Sequence, residues 1–208
     1  MKKRKFEFLL DELKLQTNFA IISINHFNKT WNELFDSENS DRVTMTYEFW
    51  YYLQNYVVAL GNLSKLLFAT KSKYETYEEY KVRNKDRKIF SGIIKVQSNT
   101  ILRDKKMRNL LEHIDENLEK FSEKPPYIIA NRSIGPINAI QIGDNLLFEK
   151  DEDNLRNFIT DRKELILFGK RFNVEKTFAE VIDLRDKIIH IEKQFKKGDL
   201  DDLFSDSK

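Results

Sequence analysis

The sequence predicts a mainly α protein: an antiparallel helical bundle, a small C-terminal antiparallel β-sheet, and a long C-terminal helix folding back on the bundle. Three observations predict it. Of six Gly and three Pro, only Gly61 and Gly92 precede residue 124, so the first part lacks the residues that punctuate irregular and β-rich chains. Apolar residues there recur at helical steps. Beyond Pro125-Pro126 the apolar runs shorten and alternate with Gly, Asp and Asn, as in hairpins. The expected division is 1–124 for the bundle, 125–172 for the sheet, 173–198 for the last helix and 199–208 for an acidic, frayed tail.

The first helix is expected from Lys5 to Phe35, where Phe6, Leu9, Leu10, Leu13, Phe19, Ile22, Trp31, Leu34 and Phe35 keep helical spacing; the polar stretch Asp36 to Asp41 ends it. The second runs from Thr44 to Ala69. Its aromatic opening (Tyr47, Phe49, Trp50, Tyr51, Tyr52, Tyr56) has the composition of a base-stacking platform. Beside Val57, Leu60, Leu63, Leu66 and Leu67 it reads better as core. Thr76-Tyr-Glu-Glu79 has the capping-box form and opens a third, charged helix that weakens near Gly92.

A fourth helix, opened by Ser98 or Asn99, carries Met107, Leu111, Ile114, Leu118 and Phe121 as one continuous buried stripe and ends at Pro125-Pro126. Strands are expected at Tyr127 to Ala130, Ala139 to Ile142, Asn145 to Phe148, Phe158-Ile159 and Leu165 to Phe168. Asn173 caps the last helix and Gly198 closes it.

Composition narrows the function classes. Forty per cent apolar residues fill a real core. A formal charge of +2 argues against holding duplex DNA by bulk charge, while leaving room for a local basic cleft. Cysteine is absent, which excludes disulfides and thiolate metal sites and fits a reducing cytoplasm. The basic start meets Glu7, Asp11 and Glu12 too soon for a signal peptide, and residues 56–69 are too short and polar for a membrane span. A cytoplasmic protein with no membrane partner is the expectation. No Gly-rich phosphate loop, HExxH or GxSxG sequence occurs, and neither a metal nor a cofactor is called for.

Two of the three histidines stand in one local pattern, Arg108-Asn-Leu-Leu-Glu-His113 and Arg185-Asp-Lys-Ile-Ile-His190. On an ideal helix Asn109 faces His113 at i, i+4, whereas Arg108 diverges from His113 by roughly 140°. The nearest helical neighbour of Arg108 is Glu112. Either the long Arg108 side chain bends across the polar face, or a working site needs groups from elsewhere: a second copy of the fourth helix, or the Arg185 helix with Asp186 and His190. The bland alternative is a solvated Arg108–Glu112 ion pair beside an exposed histidine. Arg185 falls in the middle of a stripe made by Val174, Phe178, Val181, Ile182 and Ile189, so a carboxylate partner is expected for a buried cation. His26, among Ile24, Phe27 and Trp31, reads as a core-edge histidine with a local hydrogen bond.

The segment Arg103-Asp-Lys-Lys-Met-Arg-Asn-Leu-Leu-Glu-His-Ile-Asp-Glu116, late in a helical bundle, resembles the signature of the HEPN superfamily: an arginine, usually a polar residue next, and a histidine after four to six intervening positions. Arg108, Asn109 and His113 match it, within a likeness confined to the first 124 residues. Residues 108–116 and 60–67 are also similar to an uncharacterised bacterial branch. The resemblance implies a metal-independent endoribonuclease, a toxin or antiviral effector, whose site forms where two bundles pair as a homodimer. It makes His113 the acid–base group, Arg108 the phosphate clamp and Asn109 an orienting residue, with single-stranded or tRNA-like RNA as substrate and an antitoxin as a further partner. Other members of that superfamily bind a nucleotide or a partner protein without catalysis, and this is the alternative reading.

Overall fold

The computed structural model describes residues 1–36, 41–104, 106–123, 129–136, 141–142, 145–146 and 150–204; for 107, 108, 141, 142, 145 and 146 the description is of the backbone only. The chain forms two compact units, Met1–Arg103 with Ala179–Lys208, and Asp104–Phe178.

The first unit is built on a helical hairpin. Helix α1 (Lys3–Phe35) buries Phe6, Leu10, Leu13, Thr17, Ala20, Ile24 and Phe27, a stripe stepping by three and four. Helix α2 (Arg42–Leu67) starts at Asp41, whose side chain accepts from the Thr44 amide and satisfies one of the unpaired donors of the first turn. The two run antiparallel: the rings of Phe27 and Phe49 are 4.6 Å apart, and Asn62 Nδ2 donates to Gln16 Oε1 at 3.0 Å. Of the aromatic opening of α2, Phe49 and Tyr56 are fully buried, as a core reading requires, but Tyr47 and Tyr51 are 57% and 63% exposed.

Helix α3 (Tyr77–Ile93) begins at the expected capping box, with the Thr76 hydroxyl accepting from the Glu79 amide and the Glu79 carboxylate accepting from the Thr76 amide. A 3-10 turn at Ile101–Arg103 is held by Glu180, which accepts from the Ile101 amide and from the Thr100 hydroxyl.

The second unit holds two corrections. The single fourth helix is broken into α4 (Lys106–Glu112) and α5 (Ile114–Glu123), with His113 at the break. Asn117 supplies the cause: its Nδ2 donates to the carbonyls of Leu110 and His113, at 3.3 and 2.7 Å, and a side chain inserted into the backbone ladder bends a helix. Nor is the stripe buried. Leu111, Ile114 and Phe121 are half-buried and Leu118 is exposed; the Met107 side chain and Pro125-Pro126 lie outside the described residues.

The sheet is mixed. Strands β1 (Ala130–Gly135), β4 (Asn154–Ile159), β5 (Glu164–Leu167) and β6 (Lys170–Asn173) lie in the order β1-β4-β5-β6. Two hairpins make β4, β5 and β6 antiparallel as expected, but β1 pairs parallel to β4. The long connection 136–153 permits this, because parallel neighbours need a crossover and not a tight turn. Arg132, at φ 61°, occupies a register shift between Asn131 and Ser133. Short strands β2 (Gln141–Ile142) and β3 (Asn145–Leu146) form a separate antiparallel pair. The expected strand residues 127–128, 139–140 and 147–148 lie outside the described residues.

Helix α6 (Val174–Lys197) starts where Asn173 Oδ1 accepts from the Lys176 amide at 2.7 Å and ends at Gly198, φ 81°. Its buried apolar positions are Val174, Val181, Leu184, Ile188 and Ile191, with Thr177 also buried; this face is rotated from the expected stripe, so Ile189 is exposed. The tail is not wholly frayed: Asp201–Phe204 makes a 3-10 turn, and Phe204 closes an aromatic cluster with Phe6 and Phe195, Phe90 adding an edge to Phe6. Residues 205–208 lie outside the described residues. Among the described residues no helix is long and apolar enough to cross a membrane.

Candidate active site

The arginine–histidine pattern falls on α4 and the bend that follows it. His113 keeps helical contact on both sides, its amide donating to the Asn109 carbonyl at 3.1 Å and its carbonyl accepting from the Asn117 amide at 2.9 Å. Asn109 and His113 are therefore one turn apart, as the spacing predicts. Asn109, Glu112 and His113 are all exposed, and the Arg108 side chain lies outside the described residues.

What the bend adds is a carboxylate. Glu116 Oε1 stands 3.3 Å from His113 Nδ1, with both side chains more than half exposed. A carboxylate on Nδ1 favours the tautomer with the proton on that nitrogen and leaves Nε2 as the free base. Sequence reasoning did not single out Glu116; an acid three residues after a histidine on a helix is the signal that carries it.

Charge is divided along this segment. Lys106, Arg108 and Glu112 precede His113, while Asp115, Glu116, Glu119 and Lys120 follow it, so the net charge turns from positive to negative across the bend. The two acids in the first turn of α5 suit the positive end of that helix.

The second copy of the pattern is arranged differently. Arg185 is not buried in an apolar stripe: its side chain is 40% exposed and donates through Nε and Nη2 to Asp186 Oδ1, at 3.1 and 3.0 Å. The expected burial fails because Leu184 and Ile188, one residue ahead of the supposed stripe, face inward. The expected carboxylate partner is present, but it is the adjacent residue. Asp186 is engaged with Arg185, and His190 is exposed. Arg185, Asp186 and His190 belong to the first unit, and Arg108, Asn109, Glu112 and His113 to the second.

His26 is exposed, and its ring stacks on Tyr52 at 4.9 Å with 16° between planes. The contact is stacking where a core-edge hydrogen bond was expected. No protein-family model matches the chain, and neither a curated protein nor a solved structure is found to be similar to it.

Proposed function

We propose that the protein is a metal-independent endoribonuclease of the HEPN type, acting as a toxin or an antiviral effector on single-stranded or tRNA-like RNA. The observation that carries the reading is His113, exposed at the α4–α5 bend with the Glu116 carboxylate against its Nδ1. In this chemistry Nε2 takes the proton of a ribose 2′-hydroxyl, whose oxygen attacks the adjacent phosphorus. The P–O5′ bond breaks, leaving a 2′,3′-cyclic phosphate and a 5′-hydroxyl, with a proton returned to the departing oxygen. Arg108 neutralises the charge that builds on the phosphoryl oxygens, and Asn109 orients the phosphate beside it.

The test is incubation of the purified protein with mixed RNA in EDTA. Wild type is expected to leave cyclic-phosphate ends, and His113→Ala and Arg108→Ala to lose about a hundredfold or more of that rate. Equal cleavage by all three proteins overturns the assignment. A second reading is favoured by the exposure of both His113 and Glu116, because a site open to water gains little from its fixed charges. On that reading the segment binds a nucleotide or a partner protein without catalysis. RNA left intact, with a nucleotide raising the melting temperature, selects it.

A further inference from the structure

One third of this chain is charged, yet residues 15–28 and 49–64 contain no Asp, Glu, Lys or Arg. These 14 and 16 residues lie side by side in α1 and α2, since Gln16 bonds Asn62 and Phe27 packs on Phe49. They form a neutral belt roughly 20 Å long, at 1.5 Å of rise per residue. Burial explains the half of each window that faces the core. It does not explain the other half, where water ordinarily selects charge.

Part of the outward half is apolar as well, interleaved with Asn18, Asn25, His26, Asn28 and Gln54. On α1, Leu15, Phe19 and Ile22 step by four and three on the side opposite Leu13, Ala20 and Ile24, and they are 44%, 46% and 53% exposed. On α2, Tyr51 and Val58 do the same opposite Leu53 and Leu60. Phe19, Ile22, Tyr51 and Val58 line one shallow groove of about 410 Å³, closed at its sides by Gln16, Asn55 and Asn62. Lys14 and Lys29 bound the belt on α1, and Glu48 and Lys65 bound it on α2. Depletion of charge at the centre, aromatics within and charge at the rim is the composition of a protein–protein interface, and isolated monomers rarely expose such a stripe.

We infer that this α1–α2 face is the contact between two copies of the chain, packed as a four-helix layer about a two-fold axis. The neutrality selects the occupant. A nucleic-acid strand stacking on Tyr51 and Phe19 needs cations along the groove, and the windows hold none; a partner of opposite charge finds nothing to pair with. A second copy presents the same neutral, apolar surface and satisfies both conditions. The area also fits. Five half-exposed large side chains at about 100 Å² each give roughly 500 Å² per copy, about 1,000 Å² over the pair, which is where specific interfaces begin.

This inference is independent of RNA cleavage, and its readout is mass. Sedimentation of the full chain at about 100 µM is expected to give twice the monomer mass. Phe19→Glu and Val58→Lys each place a charge in the centre of the contact and are expected to raise the dissociation constant about a hundredfold or more, giving monomers with unchanged helical circular dichroism. Both positions are exposed in the single chain, so the fold tolerates them. Val82→Glu, an equally drastic change on the exposed side of α3, is expected to leave the dimer intact. A monomeric wild type, or a dimer that survives both groove variants, overturns the proposal.

Discussion

At the scale of single residues, two charged groups of α3 act in opposite senses. Arg83 donates to both Glu75 oxygens and to the Thr70 carbonyl, tying the 68–76 connection to α3; its hydrogen bond holds the Glu75 carboxyl below its usual range. A carboxyl whose folded value is lowered adds stability above the ordinary glutamate range, roughly pH 4–5, and that stability is lost as pH falls through the lowered value. Denaturant titrations of wild type and Glu75→Gln are therefore expected to differ most near neutrality and to converge in acid; a constant gap across that window refutes the linkage. Arg87 is the reverse case. Its Nε and Nη1 are buried with no hydrogen-bond acceptor among the described residues, and burial, with the charge of Arg83 second, lowers its basicity. Arg87→Met keeps the apolar stem and removes the stranded donors, so it is expected to raise unfolding free energy by about 1–2 kcal/mol; a loss of that size means that the guanidinium has a partner in solution.

At the scale of elements, local signals survived and non-local ones did not. The Thr76–Glu79 box, the Asn173 cap and the Gly198 terminus were legible because each depends on residues within one turn. The α4–α5 break was not. The spacing of Leu111, Ile114 and Leu118 continues through it, and only the side chain of Asn117, which periodicity ignores, shows where the ladder opens. The parallel pairing of β1 was equally hidden, since strand alternation is the same for both senses and the partner is distant in sequence. For the candidate site, the i, i+4 relation of Asn109 and His113 was readable, whereas Glu116 on the imidazole was not singled out. Arg185 was misplaced because Ile182 and Ile189 and the buried Leu184 and Ile188 form rival stripes on one helix. Asn117→Ala removes the inserted amide and installs the best helix former. Fusion of α4 with α5 is expected, seen as slower amide exchange at residues 113–116. Unchanged or faster exchange there rules out Asn117 as the cause of the bend.

At the scale of the whole molecule, the first unit is discontinuous in sequence. Its hairpin and α3 come from the N-terminal half, but Val181, Leu184, Ile188 and Ile191 of α6, with Phe195 and Phe204, come from the last thirty residues. Phe6 collects rings from both ends of the chain, Phe90 on one side and Phe195 and Phe204 on the other. Lys14 on α1 reaches Glu192 on α6 with both Glu192 oxygens in range, at 3.0 and 2.9 Å. The neutral belt of α1 and α2 is thus carried by a unit whose completion depends on residues far along the chain.

That arrangement fixes an order of events during synthesis. As the chain emerges from the ribosome, α1 and α2 are made early and can pair as a local hairpin, yet the surfaces that α6 covers stay open until residues 104–178 have also been made. Throughout that interval the hairpin presents apolar flanks on two sides: one awaiting the chain's own last helix, the other the groove of Phe19 and Val58. Premature association of nascent chains through the wrong flank is the hazard built into this topology, and the rate of elongation across the inserted unit sets how long each chain is exposed to it.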